Sequence, residues 1–282
     1  MDLNQWLILG PSGMIVVGIF SIIFWKKREG IPLRLFLFGG LLWAAAIIPK
    51  LVMDYTITQP LYLWWTSSLG AMGALLALGL YIGLRTGFFE CGATYAGFRA
   101  AARRGSGTAG SQPGGRGIAY EGALAVGIGF GAFEAIVIAF PSLVQMASIF
   151  LDPSTLAPLP PDQLQVVVAQ LSQPTWAAVA AVWERVFAIL AHAFATVLTY
   201  LAVVNRRPLL LGGAIAYKTA LDAPIPILQA TLSTSPYYLL ITEAFVAVVG
   251  LVGLLGILNI DKIAPGGASD IDISGEPKDR TD

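Results

Sequence analysis

Charged residues are scarce in this chain: they make up 12% of its 282 residues, whereas soluble domains contain about 25%. Cysteine and histidine occur once each, as Cys91 and His192. A single cysteine excludes an internal disulfide and a cysteine-based metal cage, and a single histidine excludes a conventional histidine-rich zinc site. The formal net charge is zero, so nothing indicates nucleic-acid binding.

Long apolar stretches dominate the sequence, since 56% of the residues are hydrophobic and the mean hydropathy is +0.73. About 20 apolar residues cross the hydrocarbon core of a bilayer as a helix. Stretches of this kind cover residues 7–25, 35–53, 61–84, 118–149, 176–204, 209–230 and 237–260. The third has a poorly defined end, because helical character can continue to Arg104 as one long helix or as two pieces. The sequence therefore predicts an all-α polytopic membrane helix bundle with about seven transmembrane helices.

The basic residues predict the orientation of this bundle. Lysine and arginine are concentrated in residues 26–34, 85–116, 206–207 and 262–280, while the alternate connections 55–60, 152–175 and 231–236 contain neither. Basic connections stay on the cytoplasmic side of a membrane. We therefore expect a multi-pass protein of the plasma membrane, with its N-terminus outside and its C-terminus cytoplasmic.

The chain divides into one membrane domain, residues 1–260, and a polar tail, residues 261–282, which we expect to be disordered because it has no apolar periodicity. Residues 105–117 form a Gly/Ser-rich cytoplasmic loop of the flexible type. The outer loop, residues 152–175, is rich in proline. It also has apolar residues at helical spacing, so it either lies on the membrane surface over the bundle or is a plain connection. These apolar residues are Leu164, Val167, Val168 and Leu171.

Ionisable residues inside the apolar stretches are the candidates for function. They are Glu134, Glu184, Arg185, Lys218 and Asp222. A charge near the bilayer centre costs at least about 2.5 kcal/mol, so such residues face the bundle interior and pair with one another. Lys218 and Asp222 have the four-residue spacing of a same-helix ion pair, and His192 can pair with the excess acid. We expect a buried polar network, which either serves function or only fastens helices together.

Glycines on several predicted helices indicate close helix packing. Small residues allow the backbones of membrane helices to approach each other. The glycines in question are Gly127, Gly129, Gly131, Gly212, Gly213, Gly250, Gly253 and Gly256.

Four segments, taken in order, resemble a known family. They are GFFECGATYAGFR (87–99), AYEGALAVGIGFGAFEAI (119–136), WERVFAILAHAFATVLTYLAVV (183–204) and AIAYKTALDAPIPILQA (214–230). Together with the seven-helix layout they resemble the YhfC-type intramembrane peptidases, distant relatives of the glutamic CAAX-processing membrane proteases. The resemblance implies a site inside the membrane where a glutamate activates water and histidines hold zinc or polarise the peptide carbonyl. Glu90 and Glu134 are the candidate catalytic residues under this resemblance.

The sequence departs from the family pattern at residues that matter for this chemistry. The paired glutamates of the third helix look like Glu90 and Cys91 here, and two family histidines are replaced by Phe130 and Lys218. Phe130 cannot act as a base or bind a metal, and Lys218 binds a metal only when it is deprotonated. Other positions match: Glu134, Glu184, Arg185 and Asp222.

These departures predict a pseudoprotease without cofactor or metal. We expect it to act as a helix-binding or accessory subunit, with lipid and another integral membrane protein or transmembrane helix as its partners. One alternative is an active intramembrane peptidase with a remodelled site, zinc and a glutamate as general base. A second is a transporter or proton-relay protein that uses the same carboxylates, although no internal inverted repeat supports it.

Overall fold

The computed structural model describes residues 3–106, 120–233, 235 and 237–263. Within these ranges the regular secondary structure is entirely helical, as predicted. Its α-helices are α1 (Leu9–Glu29), α2 (Leu33–Met53), α3 (Gln59–Ser106), α4 (Tyr120–Leu151), α5 (Pro161–Leu171), α6 (Trp176–Val204), α7 (Pro208–Asp222), α8 (Pro224–Leu232), α9 (Tyr238–Leu258) and α10 (Ile260–Ile263). Most of the predicted Gly/Ser-rich loop and of the polar tail lies outside the described residues.

The described part of the chain has five segments that are long and apolar enough to span a membrane. They are Gln5–Glu29, Leu33–Arg103, Tyr120–Leu151, Trp176–Val204 and Tyr238–Leu258. The second of them contains two of the predicted stretches. A multi-pass all-α membrane protein is thus confirmed, although the number of predicted helices is not.

The predicted stretch 209–230 is not one long helix. It forms α7, with 15 residues, and α8, with 9 residues, and each is shorter than the about 20 residues that cross a bilayer. The break falls at Pro224, the first residue of α8. Proline has no backbone N–H, and its ring clashes with the carbonyl four residues earlier, so an uninterrupted helix is disfavoured there.

The segment Leu33–Arg103 folds back on itself at Gly70, which has φ 72° and ψ 172° inside α3. Side chains that lie equally far from Gly70 meet across the fold: Thr58 Oγ1 lies 3.4 Å from Tyr81 Oη, and Lys50 binds Glu90. Two antiparallel helical limbs therefore meet at this glycine, one of residues 33–69 and the other of residues 71–103. Within the first limb, a π-helical turn (Asp54–Thr58) connects α2 to α3. The third predicted stretch is thus divided into two pieces at Gly70.

Gly70→Ala is expected to lower the free energy of unfolding by about 1–2 kcal/mol, because positive φ with extended ψ is essentially restricted to glycine. Denaturant unfolding in mild detergent measures the effect. Gly92→Ala is the matched control: Gly92 lies in the same helix, and an added Cβ would have no atom within 4 Å. The free energy of unfolding of the Gly92→Ala protein should equal that of the original chain or exceed it by up to about 1 kcal/mol, because alanine favours helix more than glycine does. Equal effects of both substitutions would contradict the positive-φ turn at Gly70.

Helices α4 and α6 form the centre of the bundle, where α4 packs against α1, α2 and α6, and α6 packs against α7 and α9. Glycines allow these close contacts. A Cβ built on Gly127 would lie 2.6 Å from Ala193 Cα, and one on Gly131 would lie 2.9 Å from Ile189 Cα. The prediction of close helix contact is correct for Gly127, Gly129, Gly131, Gly250, Gly253 and Gly256. It is wrong for Gly212 and Gly213, where an added Cβ would have no atom within 4 Å.

A second row of glycines holds α7 against α3. A Cβ on Gly83 would lie 2.7 Å from the Thr219 carbonyl oxygen, and one on Gly87 would lie 2.7 Å from the Ile215 carbonyl oxygen. Thr219 Oγ1 also donates a hydrogen bond to the Gly83 carbonyl, at 3.2 Å. The two helices run antiparallel along this row, so that Lys218 comes to lie beside Glu90.

The outer loop contains a helix, α5, at the residues whose apolar side chains have helical spacing. Leu171 is buried and packs with Ile149 and Leu156 near the end of α4. The backbone N–H of Asn4 donates a hydrogen bond to the Leu171 carbonyl oxygen at 2.7 Å. The α5 segment is therefore attached to the end of α4 and to the start of the chain.

Candidate functional site

Polar side chains from α2, α3, α4, α6 and α7 converge in the middle of the bundle. Glu90 of α3 lies at their centre and is 4% exposed. Its Oε1 accepts a hydrogen bond from Lys50 Nζ at 2.5 Å, and its Oε2 lies 3.0 Å from Lys218 Nζ. Two lysine side chains thus share one buried carboxylate, so the three groups together have an excess of positive charge.

A second carboxylate, Glu134 of α4, is surrounded by donors. Its Oε2 accepts a hydrogen bond from Trp43 Nε1 at 2.9 Å, and its Oε1 accepts one from Arg185 at 3.0 Å. Arg185 also pairs with Glu184, whose side chain is 33% exposed. The Glu134–Arg185–Glu184 chain extends from the buried centre towards the more exposed part of α6.

His192 joins the two carboxylates. Its Nδ1 lies 3.6 Å from Glu90 Oε2, and its Nε2 lies 3.2 Å from Glu134 Oε2. The Phe130 ring covers the imidazole, with the ring centroids 4.9 Å apart. His192 is therefore an oriented, buried link between Glu90 and Glu134.

A cavity of about 480 Å³ adjoins this cluster. It lies between α2, α4, α6, the α7–α8 pair and the start of α9. Charged and apolar residues share its wall, among them Trp43, Lys50, Glu90, Glu134, Glu184, Arg185, His192, Lys218, Asp222, Ile225, Leu239, Glu243 and Val246. Its volume lies in the range of about 300–1,000 Å³ found for small-molecule sites.

A model of the YhfC intramembrane metalloprotease family matches residues 13–246. The chain belongs to this family. No curated protein and no solved structure gives a match. The family relationship inferred from the four sequence segments is thus confirmed, and the charged cluster lies within the matched residues.

The name of the YhfC family implies a metal ion, and the donor set decides whether these residues fit one. Among the described residues, no three histidine, cysteine, aspartate or glutamate side chains are arranged to hold a metal. The carboxylates that could contribute already bind cations: Glu90 binds Lys50 and Lys218, and Glu134 binds Arg185. A divalent ion would have to displace these groups against like-charge repulsion. The residues of this YhfC-family chain, as arranged, do not fit a metal.

The predicted network forms in part. Glu134, Glu184, Arg185 and His192 come together as expected. The expected Lys218–Asp222 pair is absent from the ion pairs of the described residues, because the Lys218 ammonium lies on Glu90 instead.

Sequence reasoning missed Lys50 and Glu243 as parts of this site. Lys50 is 7% exposed and Glu243 is 7% exposed, and both line the cavity. Each lies inside a predicted apolar stretch, so the criterion applied to the other intramembrane charges would have found them. Lys50 lies near the end of its stretch, where a lysine can reach the membrane interface, whereas the second limb of the hairpin buries it here.

Proposed function

We propose that this YhfC-family chain is a non-hydrolytic membrane protein that works by binding a transmembrane helix of another membrane protein, as an accessory subunit. The observation that carries the proposal is the occupation of both candidate catalytic carboxylates. Each oxygen of Glu90 and Glu134 accepts a hydrogen bond or faces a cationic or imidazole nitrogen. A general base must have a position within hydrogen-bond reach of the water that it activates. Both oxygens of Glu134 and Oε1 of Glu90 already accept hydrogen bonds, and Glu90 Oε2, which accepts none from the described residues, faces Lys218.

The chemistry of the neighbours supports the same conclusion. Peptide hydrolysis needs a group that stabilises the developing oxyanion. Lys218 is tied to Glu90, Arg185 is tied to two glutamates, and the Phe130 ring covers His192. The cationic groups beside the two carboxylates are thus engaged in ion pairs, as in a structural centre.

The cavity supports binding of a helix through its side chains. One turn of an α-helix with side chains fills roughly 400 Å³, from a 10 Å diameter and a 5.4 Å pitch. The cavity of about 480 Å³ holds the side chains of about one such turn. Leu221, Ile225, Leu239 and Val246 provide apolar contacts on its wall.

The proposal includes seven passes through the plasma membrane with the N-terminus outside. Seven passes result when the two hairpin limbs count separately and α7 with α8 counts as one broken pass. Lys26, Lys27 and Arg28 lie in the last turn of α1. They support a cytoplasmic end of that helix by the positive-inside rule.

Purification in mild detergent from the native membrane tests the proposal. We expect no stoichiometric metal and one stoichiometric membrane-protein partner. Leu239→Trp, which fills the cavity, should abolish copurification of the partner. Leu240→Trp is the matched control, because Leu240 is 53% exposed on the outside of the bundle. Bound zinc at about one ion per chain with no partner would overturn the proposal.

Hydrolysis is a second candidate function, favoured by the exposure of both Glu134 and His192 to the cavity. If it is correct, cleavage of a membrane-embedded substrate should be lost in Glu134→Gln and kept in Glu184→Gln. The absence of any substrate that accumulates in the Glu134→Gln strain would exclude it.

A further inference from the structure

We propose that the cavity beside the charged cluster binds a protonated amine carried on an aliphatic body, with Glu243 receiving its ammonium group and Asp222 as a second acid on the same wall. This goes beyond the proposed function, because it assigns a ligand chemistry to the cavity whether or not the ligand belongs to a protein. It rests on the proposed function only where the amine is a lysine of the partner helix.

The charges on the cavity wall are not balanced. Its carboxylic acids are Glu90, Glu134, Glu184, Asp222 and Glu243, and its permanent cations are Lys50, Arg185 and Lys218. The three cations all pair with the first three acids. Asp222 and Glu243 make no ion pair within the described part of the chain.

Of the two unpaired acids, Glu243 gives the stronger evidence for a missing cation. The residue is buried, at 7% exposure, and its Oε2 has no hydrogen-bond partner among the described residues. A buried polar atom without a partner costs about 1–3 kcal/mol, and acids inside membrane proteins usually pair with a cation. A ligand that donates hydrogen bonds into the cavity would supply what this carboxyl group lacks.

Asp222 has no ion-pair partner within 4 Å among the described residues. Lys218, one turn earlier on the same helix, lies 3.0 Å from Glu90 on α3, and the close contacts of Gly83 and Gly87 with α7 hold the helix in this position. Asp222 therefore lines the cavity without an ion pair inside the described part of the chain.

The rest of the wall selects an organic cation rather than a metal ion. Ile47, Ile138, Ile225, Leu239 and Val246 line the same cavity, and aliphatic side chains cannot replace the water ligands of a metal. An ammonium group offers three N–H donors in a compact head, and an attached alkyl chain buries its methylene groups at about 0.8 kcal/mol each. The cavity thus matches a molecule with one cationic end and one aliphatic end.

The test is titration of the purified full-length chain, in nanodiscs of zwitterionic lipid, with n-hexylamine and with n-hexanol as the neutral analogue. We expect saturable binding of hexylamine, by calorimetry and by a rise in Tm, and no saturable binding of hexanol. Glu243→Gln and Asp222→Asn should each weaken hexylamine binding about tenfold or more, because each removes a charged acceptor.

Asp162→Asn is the matched control, since Asp162 is an exposed acid on α5, and it should bind hexylamine like the original chain. The Tm of each variant without ligand checks its fold. Equal binding of hexanol and hexylamine, or unchanged hexylamine binding in both cavity variants, would overturn the inference.

A second arm separates the source of the amine. A synthetic transmembrane helix with one central lysine, compared with the same helix carrying norleucine, reports whether a partner helix delivers the ammonium group. Stronger capture of the lysine helix, lost in Glu243→Gln, supports a side-chain source. Hexylamine binding without capture of either helix would count against the proposed function and leave the amine site established.

Discussion

Glu90→Gln is expected to lower the free energy of unfolding by about 3–5 kcal/mol, the range for removing one partner of a buried ion pair. Glu90 is the only acid within 4 Å of either Lys50 or Lys218 among the described residues. Both lysines are deeply buried, at 7% and 2% exposure. A glutamine would leave two ammonium groups in a low-dielectric interior without the carboxylate that both of them contact.

Denaturant unfolding in mild detergent measures this loss, and two comparisons interpret it. Adding Lys50→Met and Lys218→Met to Glu90→Gln should restore most of the stability, because replacing a whole buried ion cluster with apolar groups is often neutral. Glu184→Gln should cost less than about 1 kcal/mol, the range of partly exposed pairs, since Arg185 keeps Glu134. Similar losses for Glu90→Gln and Glu184→Gln would show that Glu90 is not the centre of the cluster.

Gly129→Ala is expected to destabilise the protein by about 3 kcal/mol, at the upper end of overpacking costs. The added Cβ would overlap the backbone of Phe36 on α2. Backbone atoms at a helix crossing cannot move aside as a flexible side chain can. Gly39 on α2 meets Val126 and Phe130 of α4 in the same way, so the two helices cross through a pair of glycines.

The matched control is Gly212→Ala, which also places alanine within a helix but has no atom within 4 Å of the new Cβ. It should be neutral or stabilising by up to about 1 kcal/mol, because alanine favours helix more than glycine does. The two substitutions are therefore expected to have opposite signs in thermal unfolding. A neutral result for Gly129→Ala would contradict the close crossing of α2 and α4.

Hydropathy predicted most of the fold, because long apolar runs leave a membrane helix as the main solution for the backbone. It could not predict the break between α7 and α8. The residues around Pro224 are apolar on both sides, so the run looks continuous by hydropathy, and the signal for the break is Pro224 itself, which disfavours an uninterrupted helix. Gly70 was equally inconspicuous among the many glycines of the chain.

The sequence predicted which residues form the charged cluster better than it predicted which of them pair. Burial cost alone identifies charges such as Arg185 and Lys218 within apolar stretches. The choice between Asp222 and Glu90 as the partner of Lys218 depends on which helix lies against α7. That is a tertiary relation between α3 and α7, and spacing along one helix carries no information about it.

The hairpin limbs are much longer than a bilayer requires. Residues 33–69 rise by roughly 55 Å at 1.5 Å per residue, whereas the hydrocarbon core is about 30 Å thick. No residue between positions 51 and 73 is buried, so the tip around Gly70 is an arm with little tertiary packing. Segments with few buried contacts open at a lower free energy than the core. The arm is therefore a separate unit of local stability, which can unfold or bind another molecule while the charged centre stays folded.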